Sequence, residues 1–321
     1  MRLFGMICCL LLLSLLGWEM VVREWVVSPA VVQHDAELGA IKAGDVNILR
    51  SYEGFSRYRT DRYGMNNDAL PDVWPEARWL VLGDSFVEAE QVMRSENFVS
   101  RLNREGQRLV YNAGISGADP RYFPVLLQRL LPVLKPTRLI LCVNGGDLLA
   151  LERLRLPHHT PPEGLKSLLQ PLFAHSALMT HLNWKYKPVL QAWWEKLHTA
   201  KMVDSAGETH DVQSEIAHWQ STLATLQKQS IPMLVVVMPS IRYTSHGVLK
   251  ADSEAAELMA LSAQVMGVDV LRTEPAFMDD FARSHRVALG FANSELGHGH
   301  LNVVGHELLA ALIHTHLAAS Q

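Results

Sequence analysis

Five short apolar runs, each followed by a loop with glycine or polar residues, alternate with segments of helical periodicity. The runs are Trp79–Leu82, Arg108–Tyr111, Arg138–Val143, Pro232–Met238 and Val268–Leu271. The helical segments are Asn97–Asn103, Tyr122–Leu134, Val212–Gln229, Ser253–Val265 and Val303–Leu317. Apolar strands that alternate with helices pair in parallel, and the helices cover both faces of the sheet. The pattern therefore predicts a three-layer α/β/α sandwich around a parallel five-stranded sheet.

The N-terminus is a second, separate apolar feature. Leu3–Val22 is almost unbroken apolar sequence after Arg2, and it approaches the ~20 residues that a helix needs to cross a bilayer. We expect residues 1–23 to be an uncleaved signal-anchor in the cytoplasmic (inner) membrane, with the single-pass chain's main domain periplasmic or extracytoplasmic. A cleaved signal peptide and a buried core helix are the alternatives, although Ser28–Ala30 is a poor cleavage site because of its central proline.

Charge and cysteine content exclude two classes of protein. The formal net charge of −4 lacks the basic footprint of a nucleic-acid binder. Cys8 and Cys9 are adjacent and Cys142 stands alone, so the three cysteines do not make a disulfide framework.

Residues 24–76 are expected to form a loop-rich linker and cap. The main domain is expected at 77–321, with a helical insertion at 148–211 that carries Trp193 and Trp194.

Three loops are expected at the same edge of the predicted sheet or beside it. Gly83–Phe86 (GDSF) follows the first strand, Asn112–Gly117 (NAGISG) follows the second, and Gly297–Asn302 (GHGHLN) precedes the last helix. Ligand sites in parallel sheets form at the carboxyl ends of the strands. A serine at that edge is a candidate nucleophile, and a histidine that reaches it is a candidate base. Taken singly, each loop is equally typical of a helix cap or an ordinary turn.

Together these loops resemble the SGNH, or GDSL, hydrolase family. The resemblance covers Leu80–Leu317 and rests on VLGDSF, NAGISG and HLNVVGH. It implies a flavodoxin-like fold, with Ser85 as the nucleophile and His300 as the base. It also implies that the backbone N–H groups of Ser85 and Gly117 stabilise the oxyanion of the tetrahedral intermediate. EMVVR and HDAELG, after the apolar segment, are similar to the bacterial membrane-anchored branch linked to extracellular polysaccharides.

Two positions depart from the family pattern. Gly146 stands where the family has an oxyanion-donating asparagine, and Asn144, two residues earlier, is the candidate substitute. Gly297 stands three residues before His300, where the family has an aspartate. Glu295 and His298 are the nearest candidates for the acid or orienting group.

The resemblance implies a serine esterase that needs no cofactor or metal. It would hydrolyse or transfer O-acyl groups of a cell-envelope or extracellular polysaccharide, with polysaccharide-biosynthesis proteins as partners. The departures favour an alternative, a catalytically degenerate protein that binds glycan or helps to assemble the polysaccharide. A metal-dependent hydrolase that uses His298 and His300 is a third hypothesis.

Overall fold

The structure is a computed structural model that describes residues 2–29, 31–71, 74–104, 108–145, 175–186, 212–250 and 254–319. The helices are α1 (Arg2–Trp25), α2 (Ser85–Glu88), α3 (Phe98–Arg104), α4 (Phe123–Leu134), α5 (Val212–Gln227), α6 (Glu254–Val265), α7 (Glu274–Ser284) and α8 (Val303–Ala319). The strands are β1 (Val32–Asp35), β2 (Gly39–Lys42), β3 (Asn47–Arg50), β4 (Ser56–Arg59), β5 (Ala77–Gly83), β6 (Arg108–Gly114), β7 (Arg138–Val143), β8 (Met233–Val237), β9 (Ile241–Thr244), β10 (Gly247–Lys250) and β11 (Asp269–Arg272).

A five-stranded sheet forms the centre of the molecule and confirms the predicted fold class. Its strand order is β11-β8-β7-β5-β6, and every neighbouring pair is parallel. This is the flavodoxin-like order, in which the chain turns from one side of β5 to the other. Ligands bind outside the carboxyl ends of the strands at such a reversal, which places the loop after β5, between its neighbours β6 and β7, at the expected site.

Helices cover both faces of this sheet. Successive strand residues point to opposite faces, so each face has its own set of apolar side chains to bury. Leu80 and Leu82 pack in one cluster with the buried residues of α4, α5 and α6. Trp79 and Val81 pack in the other cluster with those of α3 and α8. Both sets of side chains are buried, which explains why the strands appear in the sequence as continuous apolar runs.

The region expected to be a loop-rich linker and cap contains two antiparallel hairpins, β1–β2 and β3–β4. Each strand has only four residues, and charged side chains alternate with buried ones in β4. Strands this short do not produce a recognisable pattern of alternating residues. The predicted insertion at 148–211 lies largely outside the described residues, as do Trp193 and Trp194, but 177–186 are helical.

The apolar N-terminal segment forms a single long helix. α1 has 24 residues and a mean hydropathy of 2.1 in its most apolar stretch, so it is long and apolar enough to cross a membrane. Most of its large apolar side chains are exposed, and only Val22 is buried. A buried core helix, one of the alternatives from the sequence, does not fit this exposure.

Candidate active site

Ser85 lies where β5 ends and the short helix α2 begins. Asp84 caps this helix, since its carboxylate accepts the Phe86 N–H at 2.9 Å. The Ser85 side chain is half-buried at the carboxyl edge of the sheet. The strand-to-helix turn therefore presents the hydroxyl beside the loops that follow the neighbouring strands.

His300 precedes α8, and its ring contacts both Ser85 and a carboxylate. Nε2 lies 2.8 Å from Ser85 Oγ, and Nδ1 lies 2.7 Å from Glu53 Oε2. An ionised carboxylate can only accept hydrogen bonds, so Nδ1 carries the proton and Nε2 is the acceptor for the Ser85 hydroxyl. Ser85, His300 and Glu53 thus have the arrangement of a nucleophile, a base and the acid that orients the base.

Glu53 belongs to the loop between β3 and β4 and is held against the loop that carries His300. Its Oε1 also accepts the His300 backbone N–H, at 3.0 Å. Asn293 donates to the Ser51 and Gly54 carbonyls at 2.9 and 2.8 Å and accepts the Gly54 N–H at 2.8 Å. Burial favours a higher pKa for Glu53, but the hydrogen bonds from the His300 ring and N–H outweigh it and lower the pKa below its ordinary value.

The structure corrects the expectation that Glu295 or His298 orients His300. These two side chains face each other across 3.8 Å, with 67% and 49% of their side-chain surfaces exposed. The position behind the His300 ring belongs to Glu53 instead.

Gly297, the position of the family's aspartate, has a backbone conformation that suits glycine. Its φ is +92°, and a Cβ added there would lie 2.7 Å from the Tyr243 carbonyl oxygen. An aspartate would need the backbone to move away from Tyr243. This chain therefore supplies the carboxylate from the cap hairpin, and the loop before His300 passes close to β9.

The proposed oxyanion donors lie in the loops after β5 and β6. In the described parts of the chain, neither the Ser85 nor the Gly117 backbone N–H has a backbone acceptor. The two loops are joined by a hydrogen bond of 3.1 Å from the Ile115 N–H to the Gly83 carbonyl. Both N–H groups are thus without a backbone acceptor, and their role as oxyanion donors stays a prediction.

Glu88, at the end of α2, ties the Gly117 turn to the helix that carries Ser85. Its carboxylate is buried and accepts the Ser116 N–H at 2.8 Å and the Ser116 hydroxyl. Lys42 of β2 forms an ion pair with the other oxygen, which compensates the buried charge. Glu88 therefore fixes the residue just before Gly117 relative to the nucleophile.

Asn144 follows β7 and is directed towards the start of α2. Its Nδ2 donates to Asp84 Oδ2 at 2.9 Å. Burial raises the pKa of Asp84 despite the opposing hydrogen bond from Phe86 N–H. Asn144 therefore lies next to the residue before Ser85, and its role as an oxyanion donor stays a prediction. Gly146 lies outside the described residues.

The next histidine in the chain after His298 and His300 is His306, and its ring makes contacts within the core. His306 is buried in α8, stacks on Phe98 with ring centroids 5.9 Å apart, and accepts the Phe98 N–H at 3.4 Å. Burial lowers its pKa to about 3. Across the described residues, no three His, Cys, Asp or Glu side chains are placed to share a metal ion.

Sequence reasoning missed Glu53 and Glu88. Glu53 is 247 positions away from His300, in a hairpin whose pairing the pattern did not reveal. Glu88 lies only three residues after Ser85, but an acidic residue in the first turn of a helix is common for a different reason, the helix dipole. No spacing signal singles out either residue.

No family model matches the chain, and no curated protein matches it in sequence. Solved structures with a similar arrangement include an acetyl xylan esterase, at 14% identity and a TM-score of 0.43 over 74% of this chain and 98% of that one. A catalytic mutant of an acetylxylan esterase from Geobacillus stearothermophilus is 14% identical, with a TM-score of 0.42 over 76% and 94%.

A member of the lipolytic protein G-D-S-L family from Veillonella parvula is 12% identical, with a TM-score of 0.43 over 74% of this chain and 97% of that one. These likenesses concern the order of strands and helices. The roles considered for Ser85, His300 and Glu53 rest on the contacts within this chain.

Proposed function

We propose that this protein is a serine esterase of the SGNH type, with Ser85 as nucleophile, His300 as base and Glu53 as the orienting acid. The observation that carries the proposal is the His300 ring, which bridges Ser85 Oγ at 2.8 Å and Glu53 Oε2 at 2.7 Å. These distances lie within the reach of a working pair of nucleophile and base.

In the first half of the reaction, Ser85 Oγ attacks the ester carbonyl carbon while its proton passes to His300 Nε2. The carbonyl oxygen becomes an oxyanion, which accepts hydrogen bonds from the N–H groups of Ser85 and Gly117, with Asn144 as the candidate third donor. When the carbon–oxygen bond of the leaving group breaks, His300 returns the proton to the departing alkoxide. The alcohol leaves, and the acyl group remains on Ser85.

In the second half, a water molecule or a sugar hydroxyl gives its proton to Nε2 and attacks the acyl carbon. Collapse of this intermediate breaks the bond to Oγ, which takes back the proton. Water yields the free acid, and a sugar hydroxyl yields a new ester. Glu53 stays ionised throughout and stabilises the imidazolium that forms in each half.

We assign the substrate to O-acylated cell-envelope or extracellular polysaccharide, as the resemblance of the anchored N-terminus implies. α1 would anchor the chain in the cytoplasmic membrane, with the catalytic domain in the periplasm beside polysaccharide-biosynthesis partners. The length and apolar exposure of α1 support the anchor.

The non-catalytic alternative was favoured by the missing aspartate at position 297. Glu53 now contacts the histidine nitrogen that this aspartate would face. The departure at Gly297 therefore no longer favours a degenerate site.

The test compares the wild-type protein with Ser85→Ala on a small acetyl ester. We expect Ser85→Ala to lose at least about 10³-fold in kcat, since the reaction loses its nucleophile. Ser221→Ala, at an exposed position on α5, is the matched control and should keep the wild-type rate. Equal rates for wild type and Ser85→Ala would refute the assignment, and loss of activity with a chelator would favour the metal hypothesis.

A further inference from the structure

The end of α1 is joined directly to the 177–186 helix. Glu19 Oε1 accepts the Ala177 N–H at 2.9 Å, and Oε2 accepts the Leu178 N–H at 2.9 Å and the Ser176 hydroxyl at 2.7 Å. These bonds satisfy free N–H groups at the start of that helix, as a capping side chain does. Arg23 adds hydrogen bonds to Glu19 at 2.6 Å and to the His175 carbonyl at 2.5 Å. The last two turns of α1 are thus part of the folded body.

This junction leaves only the part of α1 before Glu19 free to cross a bilayer. This part, from Arg2 to Trp18, is apolar and exposed, and at ~1.5 Å per residue it is about 25 Å long. A bilayer has a hydrocarbon core about 30 Å thick. If this portion crosses the membrane, Glu19 lies at the bilayer surface, with no spacer before the body begins.

The far end of the 177–186 helix carries side chains typical of a membrane interface. Leu182, Trp184 and Tyr186 are 37%, 52% and 47% exposed, and Lys185 stands among them. Trp25, at the end of α1, is 76% exposed. Aromatic residues and lysine concentrate where the hydrocarbon meets the headgroups, because one part of each side chain is apolar and another is polar.

The same region adjoins the candidate active site. Trp184 stacks on Tyr52 with ring centroids 3.8 Å apart, and Tyr52 immediately precedes Glu53. Tyr52 also packs against the cluster formed by Val22, Val27 and Ala177 at the end of α1. Between Tyr52, Glu53 and Trp184 lies a cavity of about 800 Å³.

We infer that the exposed end of the 177–186 helix, with Leu182, Trp184 and Tyr186, lies in the headgroup region of the bilayer that α1 crosses. The start of this helix is hydrogen-bonded to Glu19 of α1, and the partner of its exposed end is a phospholipid bilayer. The cavity beside Glu53 then opens within reach of the lipid headgroups, so the ester is taken at the membrane surface. This inference rests on the proposed role of α1 as an anchor.

The test uses the full-length protein in vesicles of phosphatidylethanolamine and phosphatidylglycerol, in a Cys8→Ala, Cys9→Ala background. A polarity-sensitive fluorophore is attached through Leu182→Cys or, as the matched control, Leu261→Cys, an exposed leucine on α6. Lipids with a spin label near the headgroup quench fluorophores at the interface, and aqueous iodide quenches those in water. Circular dichroism of the labelled proteins shows that both are folded.

We expect the probe at position 182 to be quenched at least about twofold more by the spin-labelled lipid than the probe at 261, with the opposite order for iodide. If the protein sediments with the vesicles but both probes are quenched equally, the membrane contact of the 177–186 helix is refuted and the anchor is not. Protein that fails to sediment with the vesicles overturns the anchor and the inference together. Neither result bears on the esterase assignment, which the Ser85→Ala comparison on a soluble ester decides separately.

Discussion

Replacing Glu53 by glutamine isolates the contribution of the carboxylate that orients His300. Glutamine has nearly the same shape, but only one of its two terminal atoms accepts a hydrogen bond. In the wild type, both oxygens of Glu53 accept, from the His300 ring at 2.7 Å and from its backbone N–H at 3.0 Å. In the variant, an amide NH₂ faces one of these N–H donors, or the ring changes tautomer and Nε2 carries the proton. With that tautomer, Nε2 is no longer an acceptor for the Ser85 hydroxyl.

The size of the effect follows from the charge and exposure of Glu53. An amide in place of a triad carboxylate, with the wrong histidine tautomer, costs about 10⁴-fold in kcat when the acid is buried. The Glu53 side chain is 26% exposed, so water partly replaces the lost charge. We therefore expect a loss of about 10³-fold, which corresponds to about 4 kcal/mol of transition-state stabilisation.

The assay is kcat and KM on a small soluble acetyl ester, because such a substrate needs little binding beyond the reacting group. Most of the loss should fall on kcat, since the carboxylate acts mainly on the imidazolium that forms during the reaction. Glu295→Gln is the matched control. Glu295 is the acidic residue nearest to His300 along the chain, and its side chain lies at the surface. We expect it to stay within a factor of about two of the wild type.

Circular dichroism at the assay temperature separates a chemical effect from unfolding. A folded Glu53→Gln protein that retains more than about half of the wild-type kcat would refute the argument. So would a Glu295→Gln protein that loses as much activity as Glu53→Gln.

Three further changes test other parts of the structure. Glu88→Gln should lower kcat on the same ester about tenfold with a smaller change in KM, since Ser116 and the turn after it lose a charged acceptor; an unchanged kcat would contradict this role. Gly299→Ala should lower kcat by a similar factor, because its φ is +99° and the added Cβ would lie 2.7 Å from Glu53 Oε1; wild-type activity would show that the loop adapts freely. The lowered pKa of His306 means that the folded protein binds this proton less readily than the unfolded chain. Stability should therefore fall as the pH drops from about 6.5 to about 3, by up to about 1.4 kcal/mol per pH unit. The free energy of unfolding of His306→Phe, measured with urea, should depend less on pH than that of the wild type. An equal pH dependence in both proteins would show that His306 is not its cause.

The fold was largely predictable because its signals are local. Each strand of the central sheet is buried on both faces, so its apolar character is visible within a few residues of sequence. The apolar length of α1 is visible in the same way. The cap hairpins were not predictable, because four residues are too few for an alternating pattern to stand out, and their stability comes from packing on the rest of the chain.

The candidate site was likewise predictable only for the residues that stand in local motifs. Ser85 and His300 stand in short motifs at loops whose position follows from the sheet, so the sequence already placed both at one edge. Glu295 and His298 were chosen because they are close to His300 along the chain. In the structure the loop turns them outward, while the Asn293 hydrogen bonds bring the hairpin of Glu53 to the ring.

The sequence by itself determined the sheet, its covering helices, the apolar N-terminal helix and the two loops that carry Ser85 and His300. Only the tertiary structure decided which carboxylate faces His300, which residue holds the Gly117 turn, and how the end of α1 meets the 177–186 helix. Periodicity and motif spacing report interactions between residues close in the chain. A carboxylate from a distant hairpin is selected by three-dimensional packing and hydrogen bonding, which leave no regular spacing in the sequence.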